Sequence, residues 1–514
     1  MKKPFFWWTD EQKAFQKEIR EFVETLVSYE ETTRWTREHP FKIYEEFQKH
    51  NYVGAAVPKE YGGLGLGVTG SCILAEEIHS RMPGIGRYIV GNMNGGLMQI
   101  VESATEEQKK KYLPGICKCE MGAVVITETT AGTDAAGISV QAVYDEKEDC
   151  YILNGKKRFI VGAGVADRYF VYARTSNDPE VIKKHKHLTA FILYKGTPGF
   201  SCEKVNDILA FQNVQNGSLD FNNVKIPASD RIGGEGDGWK MMMNGLNFER
   251  TNIAASTIGW QRLMLETAYP YCERRVQFGK PVLDIAANQE KLASMVMRLK
   301  TTRPALYYTA YQWDHDEDIT IEASTMKAYG AELTLESAKE ATQVMGGDGI
   351  NRFYPVQNLF EVAKTEHMAG GTVEACRLTI FRGIAKHMSE DVKMVRRVQD
   401  PKLGVPVPTF EPVEKKMPAT AENILKVLAD DYVVNPALHM TKEDLAWYIE
   451  DTDENVEKAI AELIASGDAW ALPDKKKGGT KLVRASYAGL KKAYPQEHYE
   501  FFPPYIKEDP RRTF

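Results

Sequence analysis

A chain of 514 residues, 43% hydrophobic and 26% charged, is too long for one ordinary domain and has the composition of a soluble globular protein of three or four. Its net charge of -6 argues against nucleic acid as a main partner, and no apolar run reaches the roughly 18 residues of a membrane span. The start, Met1-Lys2-Lys3-Pro4-Phe5-Phe6, lacks the apolar core of a signal peptide, so a cytoplasmic location is expected. The cysteines are scattered, and Cys117-Lys118-Cys119 has neither zinc-knuckle nor redox CxxC spacing, so they read as reduced thiols without a metal.

Thr9-Asp10-Glu11-Gln12 offers an N-cap with acids in the first turn, and Phe15, Ile19, Phe22, Val23 and Leu26 follow at helical spacing, which predicts the first helix. Helical pattern resumes over 72–78 and 94–101, and the pattern over 106–112 should stop at Leu113-Pro114-Gly115. From Gly122 the period changes to short β-branched and aromatic runs over 124–127, 138–144, 151–153, 158–161, 169–173, 188–194 and 219–226. After the glycine-rich stretch 233–238 the helical period returns, first in a segment running to Tyr271, then over 288–313, 321–345 and 373–388. Prolines 401, 406, 408, 412 and 418 read as a stiff linker. Beyond it, amphipathic patterns over 422–428, 442–449 and 455–464 precede a hairpin-like pair, Trp470-Ala471-Leu472 and Lys481-Leu482-Val483-Arg484, in the order of a winged-helix-like module. Acidic side chains outnumber basic ones there, so packing or docking is expected rather than DNA binding.

Leu246-Asn247-Phe248-Glu249-Arg250-Thr251 sets a carboxylate and a guanidinium side by side among Met241, Met242, Met243, Leu246 and Phe248. Partial desolvation there would raise a carboxyl pKa towards the range that takes up a weakly acidic proton. The same pair on a solvated helix face is an ordinary surface pair, and the surrounding motifs decide between the two readings.

Those motifs are Pro58-Lys59-Glu60-Tyr61-Gly62-Gly63; Ile126-Thr127-Glu128 with Gly132-Thr133-Asp134; Asn154-Gly155-Lys156-Lys157; Gly234-Glu235-Gly236-Asp237-Gly238-Trp239; Arg275-Val276-Gln277-Phe278-Gly279; and Gln343-Val344-Met345-Gly346-Gly347-Asp348-Gly349. In this order and with these gaps the chain resembles the acyl-CoA dehydrogenase flavoproteins over about residues 8–390. The resemblance implies an α+β multidomain protein: an N-terminal helical domain (1–121), a middle β-barrel-like domain (122–236) and a C-terminal four-helix bundle (237–395). The linker (396–418) and the winged-helix-like module with its tail (419–514) are an addition that typical members lack.

The resemblance also implies FAD, an acyl-CoA substrate, an electron-transferring flavoprotein as partner and a homotetramer or homodimer. It assigns to the flavin Ile126, Thr127, Phe159, Ile160, Val161, Arg275, Phe278, Gln289, Gln343, Gly346, Gly347, Thr372 and Glu374, and to the CoA thioester Thr133, Arg250 and Gly370. Arg275 suits a diphosphate because its planar fork binds oxygens in pairs, Phe278 can stack on adenine, and glycines after Gln343 let backbone amides approach a pyrophosphate. In the family these last groups reach the flavin of a neighbouring subunit.

Three departures fall at the site. Where the family reads Trp-Ile-Thr, this chain has Phe159-Ile160-Val161; the ring can still cover the flavin, but Val161 cannot donate to N5, so either a backbone group does or the flavin's reactivity is altered. Where many members carry a catalytic glutamate in Tyr-Glu-Gly-Thr, this chain has Ala369-Gly370-Gly371-Thr372. A subset that includes isovaleryl-CoA dehydrogenases keeps its glutamate on an earlier helix in a Leu-Asp-x-Glu-Arg context, and Leu246-Asn247-Phe248-Glu249-Arg250 matches it with Asn for Asp. Glu249 is therefore the expected base.

A thioester α-proton is weakly acidic, so its carbonyl must be polarised as Glu249 removes the proton and the β-hydride leaves. The polarising amide belongs to Glu249 or Gly370, and Arg250 either meets CoA phosphates or holds the base. Loss of Tyr-Glu from the loop predicts a branched, alicyclic or otherwise bulky acyl group. Arg87 falls near the arginine with which glutaryl-CoA dehydrogenases hold a distal carboxylate, which makes a dicarboxylyl-CoA an alternative. A further alternative is a non-catalytic acyl-CoA-binding protein whose C-terminal module is regulatory.

Overall fold

In the computed structural model, Thr9 caps the helix Asp10–Glu24 through a reciprocal box with Gln12, and Phe15, Ile19 and Val23 are buried along one face. The structure describes residues 3–86, 88–89, 91, 95–391, 396–399, 406–409, 416–434, 439–474 and 478–494. The chain divides into two compact units, Met1–Ile384 and Ala385–Phe514.

In the first unit, helices Val27–Thr36, Phe41–Gln48, Gly67–His79, Leu97–Ser103 and Glu106–Cys117 complete the N-terminal helical region. The last does not stop at Leu113-Pro114-Gly115. Pro114 sits inside its final turn, where it forgoes the bond to the Lys110 carbonyl, and the Lys118 amide closes onto the carbonyls of Pro114 and Gly115. Gly67–His79 is buried nearly all round, because other helices surround it.

The middle region is one eight-stranded sheet of β1 (Gly122–Val125), β2 (Gln141–Asp145), β3 (Cys150–Val161), β4 (Arg168–Arg174), β5 (Leu188–Tyr194), β6 (Phe200–Val205), β7 (Asn216–Pro227) and β8 (Arg231–Ile232). Its pairing runs β6-β7-β3-β2-β4-β5-β8 with β1 added to β4, so among the described residues it is an open path rather than a closed barrel. The two short runs predicted over 151–161 are a single strand, β3, whose register with β7 slips at Leu153/Gly155 and again at Lys157/Ile160. β4 is buried on both faces: Tyr169, Val171 and Ala173 enter the sheet's own core, while Phe170 and Tyr172 enter the core shared with the helices.

The long helix Gly238–Arg274, Ala286–Trp313, Thr320–Met345 and Val373–Asp391 form the expected four-helix run, joined by a helix, Pro355–Thr365, that the pattern did not predict. One continuous core runs from Trp8 to Ala363, so the N-terminal helices and the bundle share their apolar interior. A Cβ at Gly259 would lie 2.5 Å from the Glu76 carbonyl oxygen, which is why the long helix needs a glycine to approach Gly67–His79 so closely.

In the second unit, Arg396–Gln399 pairs antiparallel with Pro406–Thr409 inside the stretch read as a linker. Helices Ala421–Val434, Lys442–Leu445, Asp453–Ala465 and Tyr487–Ala493 pack with the hairpin Ala469–Pro473/Thr480–Ala485 around a separate core. Among the described residues no helix is long and apolar enough to cross a membrane, and no cluster of His, Cys, Asp or Glu could hold a metal ion.

Candidate active site

Glu249 lies three turns into the long helix, beside the buried Met241, Met242 and Phe248, and is itself half-buried. Facing it is the loop 366–372, closed by the Val373 amide donating to the His367 carbonyl at 2.9 Å and turned by Gly370 (φ 63°) and Gly371 (φ 88°). A Cβ added at Gly370 would stand 3.8 Å from Glu249 Cγ and 2.7 Å from Ile253 Cδ1. The two positions at which a carboxylate base is expected therefore face one another across one van der Waals contact.

Arg250 points from the helix into the same loop and is only 7% exposed. Its Nε donates to the Gly370 carbonyl at 3.2 Å, and its fork donates to Ser324 Oγ at 3.2 Å and Asn247 Oδ1 at 3.4 Å. This guanidinium holds the loop beside Glu249. Lys327 is wholly buried and donates to the Gly371 carbonyl at 2.5 Å and, more weakly, to that of His367 at 3.5 Å. Burial pulls its pKa down, while Cys376, Glu366 and Glu249 act the other way.

Tyr172, fully buried on β4, accepts from Gln99 Nε2 at 3.4 Å. Burial raises its phenol pKa, the Gln99 bond lowers it, and the Glu249 charge adds to the rise. Gln99 packs so closely on the Glu249 helix that a Cβ at Gly245 would meet its Nε2 at 1.8 Å. Because β1 pairs with β4 in parallel, Val125 opposite Val171, the next residues Ile126 and Thr127 emerge level with Tyr172. The strand ends and the helix that carries Glu249 thus meet through β4.

Ile126, Thr127 and the end of β3 make one wall. The Arg158 amide donates to the Thr127 carbonyl at 2.9 Å, and the buried Lys157 ammonium reaches the Ile126 carbonyl at 2.8 Å and the Glu128 carboxylate at 2.9 Å. Burial pulls Lys157 down to about 8 against the pull of Glu128; burial would raise the Glu128 carboxyl, but Lys157, Ser139 and the Val140 amide outweigh it. The slip in β3 puts Phe159 in the left-handed region (φ 56°) and leaves its ring 50% exposed, with the Arg158 guanidinium 4.3 Å from the ring centre. Ile160 is buried and Val161 half-buried opposite Asn216. Thr372 caps the last helix by accepting from the Ala375 amide at 3.1 Å, with Glu374 exposed in its first turn.

A second group gathers at the far end of the long helix. Arg275 is its C-cap, Phe278 is 93% exposed in the tight turn after it, Gln289 opens the next helix, and Gln343, Gly346 and Gly347 are exposed at the end of Thr320–Met345. Tyr271 donates to Asp348 at 2.6 Å and ties these ends together. A Cβ at Gly346 or Gly347 would meet nothing within 4 Å, so the surface beside them is open, and the Gly346 amide itself donates to the Gln343 carbonyl. This group lies far from Glu249: the intervening 26 residues of helix span about 39 Å. Thr133 is exposed in its turn, and Arg87 lies outside the described residues.

Family models described as the N-terminal, middle and C-terminal domains of acyl-CoA dehydrogenase match residues 9–120, 123–224 and 236–385. This chain belongs to the acyl-CoA dehydrogenase family. It is 34% identical to an acyl-CoA dehydrogenase of Bacillus subtilis (strain 168), across 73% of this chain and 98% of that one. It is 32% identical to a mitochondrial isovaleryl-CoA dehydrogenase of Solanum tuberosum, across 73% and 91%. The butyryl-CoA dehydrogenase structure from Megasphaera elsdenii superimposes with a TM-score of 0.71 at 30% identity, covering 74% of this chain and 100% of that one. The protein is an FAD-dependent oxidoreductase of this family. The site's chemistry fits that cofactor: a half-exposed aromatic beside Thr127, and an exposed arginine, glutamine and side-chain-free glycines suited to the close approach of a pyrophosphate.

Lys327, Tyr172, Gln99 and the Lys157–Glu128 pair were not picked out as site residues from the sequence. A lysine amid a helical pattern reads as solvated, and nothing local marks Lys327 as buried.

Proposed function

We propose that the protein oxidises a bulky acyl-CoA thioester to the 2,3-enoyl-CoA with Glu249 as base. The observation that carries this reading is the juxtaposition of Glu249 with the side-chain-free Gly370. Glu249 takes the α-proton, and FAD, when bound, accepts the β-hydride. Of the two amides that could polarise the thioester carbonyl, that of Glu249 is spent inside a helix, whereas the Gly370 amide makes no backbone hydrogen bond among the described residues, which supports Gly370. Arg250 serves this chemistry by holding the Gly370 carbonyl rather than by reaching CoA.

The substrate reading rests on the missing Tyr-Glu pair, and Ile253 Cδ1 already takes part of the freed volume, which favours a short branched chain over a long one. A relative named isovaleryl-CoA dehydrogenase points the same way. Thr133 is assigned to CoA. The distance of Arg275, Phe278, Gln289, Gln343, Gly346 and Gly347 from Glu249 exceeds the reach of one extended FAD. It supports an oligomer in which these residues serve a neighbour's flavin, and the exposed Phe278, Ile350, Phe353, Leu378 and Phe381 supply apolar surface for it. Electrons then pass to an electron-transferring flavoprotein. The helix and hairpin order of the second unit, with Met440 bridged to Val483, supports a winged-helix-like docking module.

The test is anaerobic flavin bleaching by isovaleryl-, cyclohexanecarboxyl-, glutaryl- and butyryl-CoA. Isovaleryl-CoA should bleach fastest. Fastest bleaching by butyryl-CoA overturns the bulky pocket, preference for glutaryl-CoA favours a dicarboxylyl substrate, and no bleaching by any thioester favours a binding protein without the chemistry.

A further inference from the structure

The carbonyls of Gly370 and Gly371 are each held by a buried cation, the first by Arg250 at 3.2 Å and the second by Lys327 at 2.5 Å. Ser324 and Lys327 lie one turn apart on Thr320–Met345, so a single helix face supports both cations: Ser324 accepts from the Arg250 fork, and Lys327 itself spans the Gly371 and His367 carbonyls. In a trans peptide the C=O and the next N–H point in opposite directions. With these two carbonyls turned to the cations, the amides of Gly371 and Thr372 are turned away from them. Two successive left-handed glycines give this backbone little preference of its own, so its orientation must be imposed from outside. A wholly buried ammonium is an expensive tether, and an apolar side chain of the same length would fill the space at lower cost to folding.

We propose that Lys327 is a positioning residue for the oxidation, fixing the loop's peptide planes opposite Glu249 by holding the Gly371 carbonyl. The proposal rests on Glu249 being the base. Loss of Lys327 frees the Gly371–Thr372 plane to rotate and loosens the loop that carries the Gly370 amide, and misplacing the thioester carbonyl by about 1 Å is enough to slow the step about 100-fold. It also deletes a positive charge near the base. The charged and titratable groups acting there are Arg250 on the same helix, Lys327 across from it, Tyr172 from the sheet, and Glu366, His367 and Cys376 at the loop. Without Lys327 the Glu249 carboxylate is less stabilised and its pKa rises.

The experiment compares Lys327→Met, Lys327→Gln and Lys327→Arg in the full chain with FAD, using isovaleryl-CoA. In Lys327→Met, kcat per bound flavin should fall about 10- to 100-fold, with acyl-CoA Kd within about twofold. The acid limb of kcat/KM should move to higher pH, and Lys327→Arg should recover most of the loss. Should Lys327→Met be recovered only unfolded, the same readings on Lys327→Gln decide. An unchanged kcat per flavin and an unmoved acid limb, with lower thermal stability as the sole effect, would show that Lys327 is structural. Wild type failing to bleach with any acyl-CoA removes the underlying reaction instead, an outcome distinct from a wild-type-like variant.

Discussion

The long helix takes part in two clusters of carboxylate and cation, and they have opposite properties. Twelve residues beyond Arg250, the buried Arg262 donates to Glu76 at 2.6 Å and to Glu77 at 3.1 Å. Arg303 and Tyr307 complete the shell of Glu76, and Gln16 and Arg20 that of Glu77. Glu76 is 0% exposed, its oxygens are saturated with donors, and it joins the N-terminal helices to the bundle. Glu249 is half-buried beside a glycine that leaves space next to it, and its arginine neighbour is turned to a loop carbonyl. The same residue types along one helix's surroundings thus make a staple where every lone pair is spent, and leave the proposed base beside an arginine that is occupied with a loop carbonyl.

Four substitutions or conditions probe this contrast, and the largest effect belongs to the proposed base. Glu249→Gln should lower turnover by about 10²–10⁴-fold with FAD content and unfolding temperature unchanged; near wild-type turnover would remove Glu249 from the chemistry. Glu76→Gln should do the reverse, destabilising by about 3–5 kcal/mol in denaturant unfolding because Arg262 and Arg303 lose their partner. Activity per folded molecule should persist. The third probe is acid. Burial would raise the Glu77 carboxyl, but Arg262 and Arg20 hold it well below the usual carboxylate range. A depressed folded-state pKa contributes stability that is fully present above the unfolded value and is lost as pH falls through the folded one. Denaturant midpoints should therefore drop below about pH 4, and Glu77→Gln should flatten that dependence. The smallest effect is that of Gly370→Ala, which places a Cβ at φ 63° against Ile253 and should cost roughly 1–2 kcal/mol while raising KM for branched thioesters more than for butyryl-CoA.

Much of this contrast was legible in the sequence. The capping pair Thr9 and Gln12, the change of period at Gly122 and the missing glutamate at Gly370 are local signals; the first two led to elements the structure contains, and the third to a glycine that the structure sets beside Glu249. What escaped is set by distant packing. Phe200–Val205 is an exposed edge strand without apolar alternation, so its pairing with β7 leaves no periodic mark. The slip that aims Phe159 outward depends on β7, and the burial of Lys327 depends on a loop 40 residues away. Pro114 reads as a stop because propensity ignores the core behind it; Leu113 and Ile116 are fully buried there and hold the turn.

The core that runs unbroken from Trp8 to Ala363 governs how the chain can be made. Trp8 packs on Tyr307 with ring centres 4.7 Å apart, and Arg303 donates to the Lys3 carbonyl at 2.9 Å, so residues 3–8 complete their contacts only when the bundle, some 300 residues later, has emerged from the ribosome. Until then the N-terminal helices present an apolar face with nothing to cover it. At synthesis rates of roughly 5–20 residues per second that interval lasts about 15–60 s, long enough for chaperones to decide the yield of folded protein.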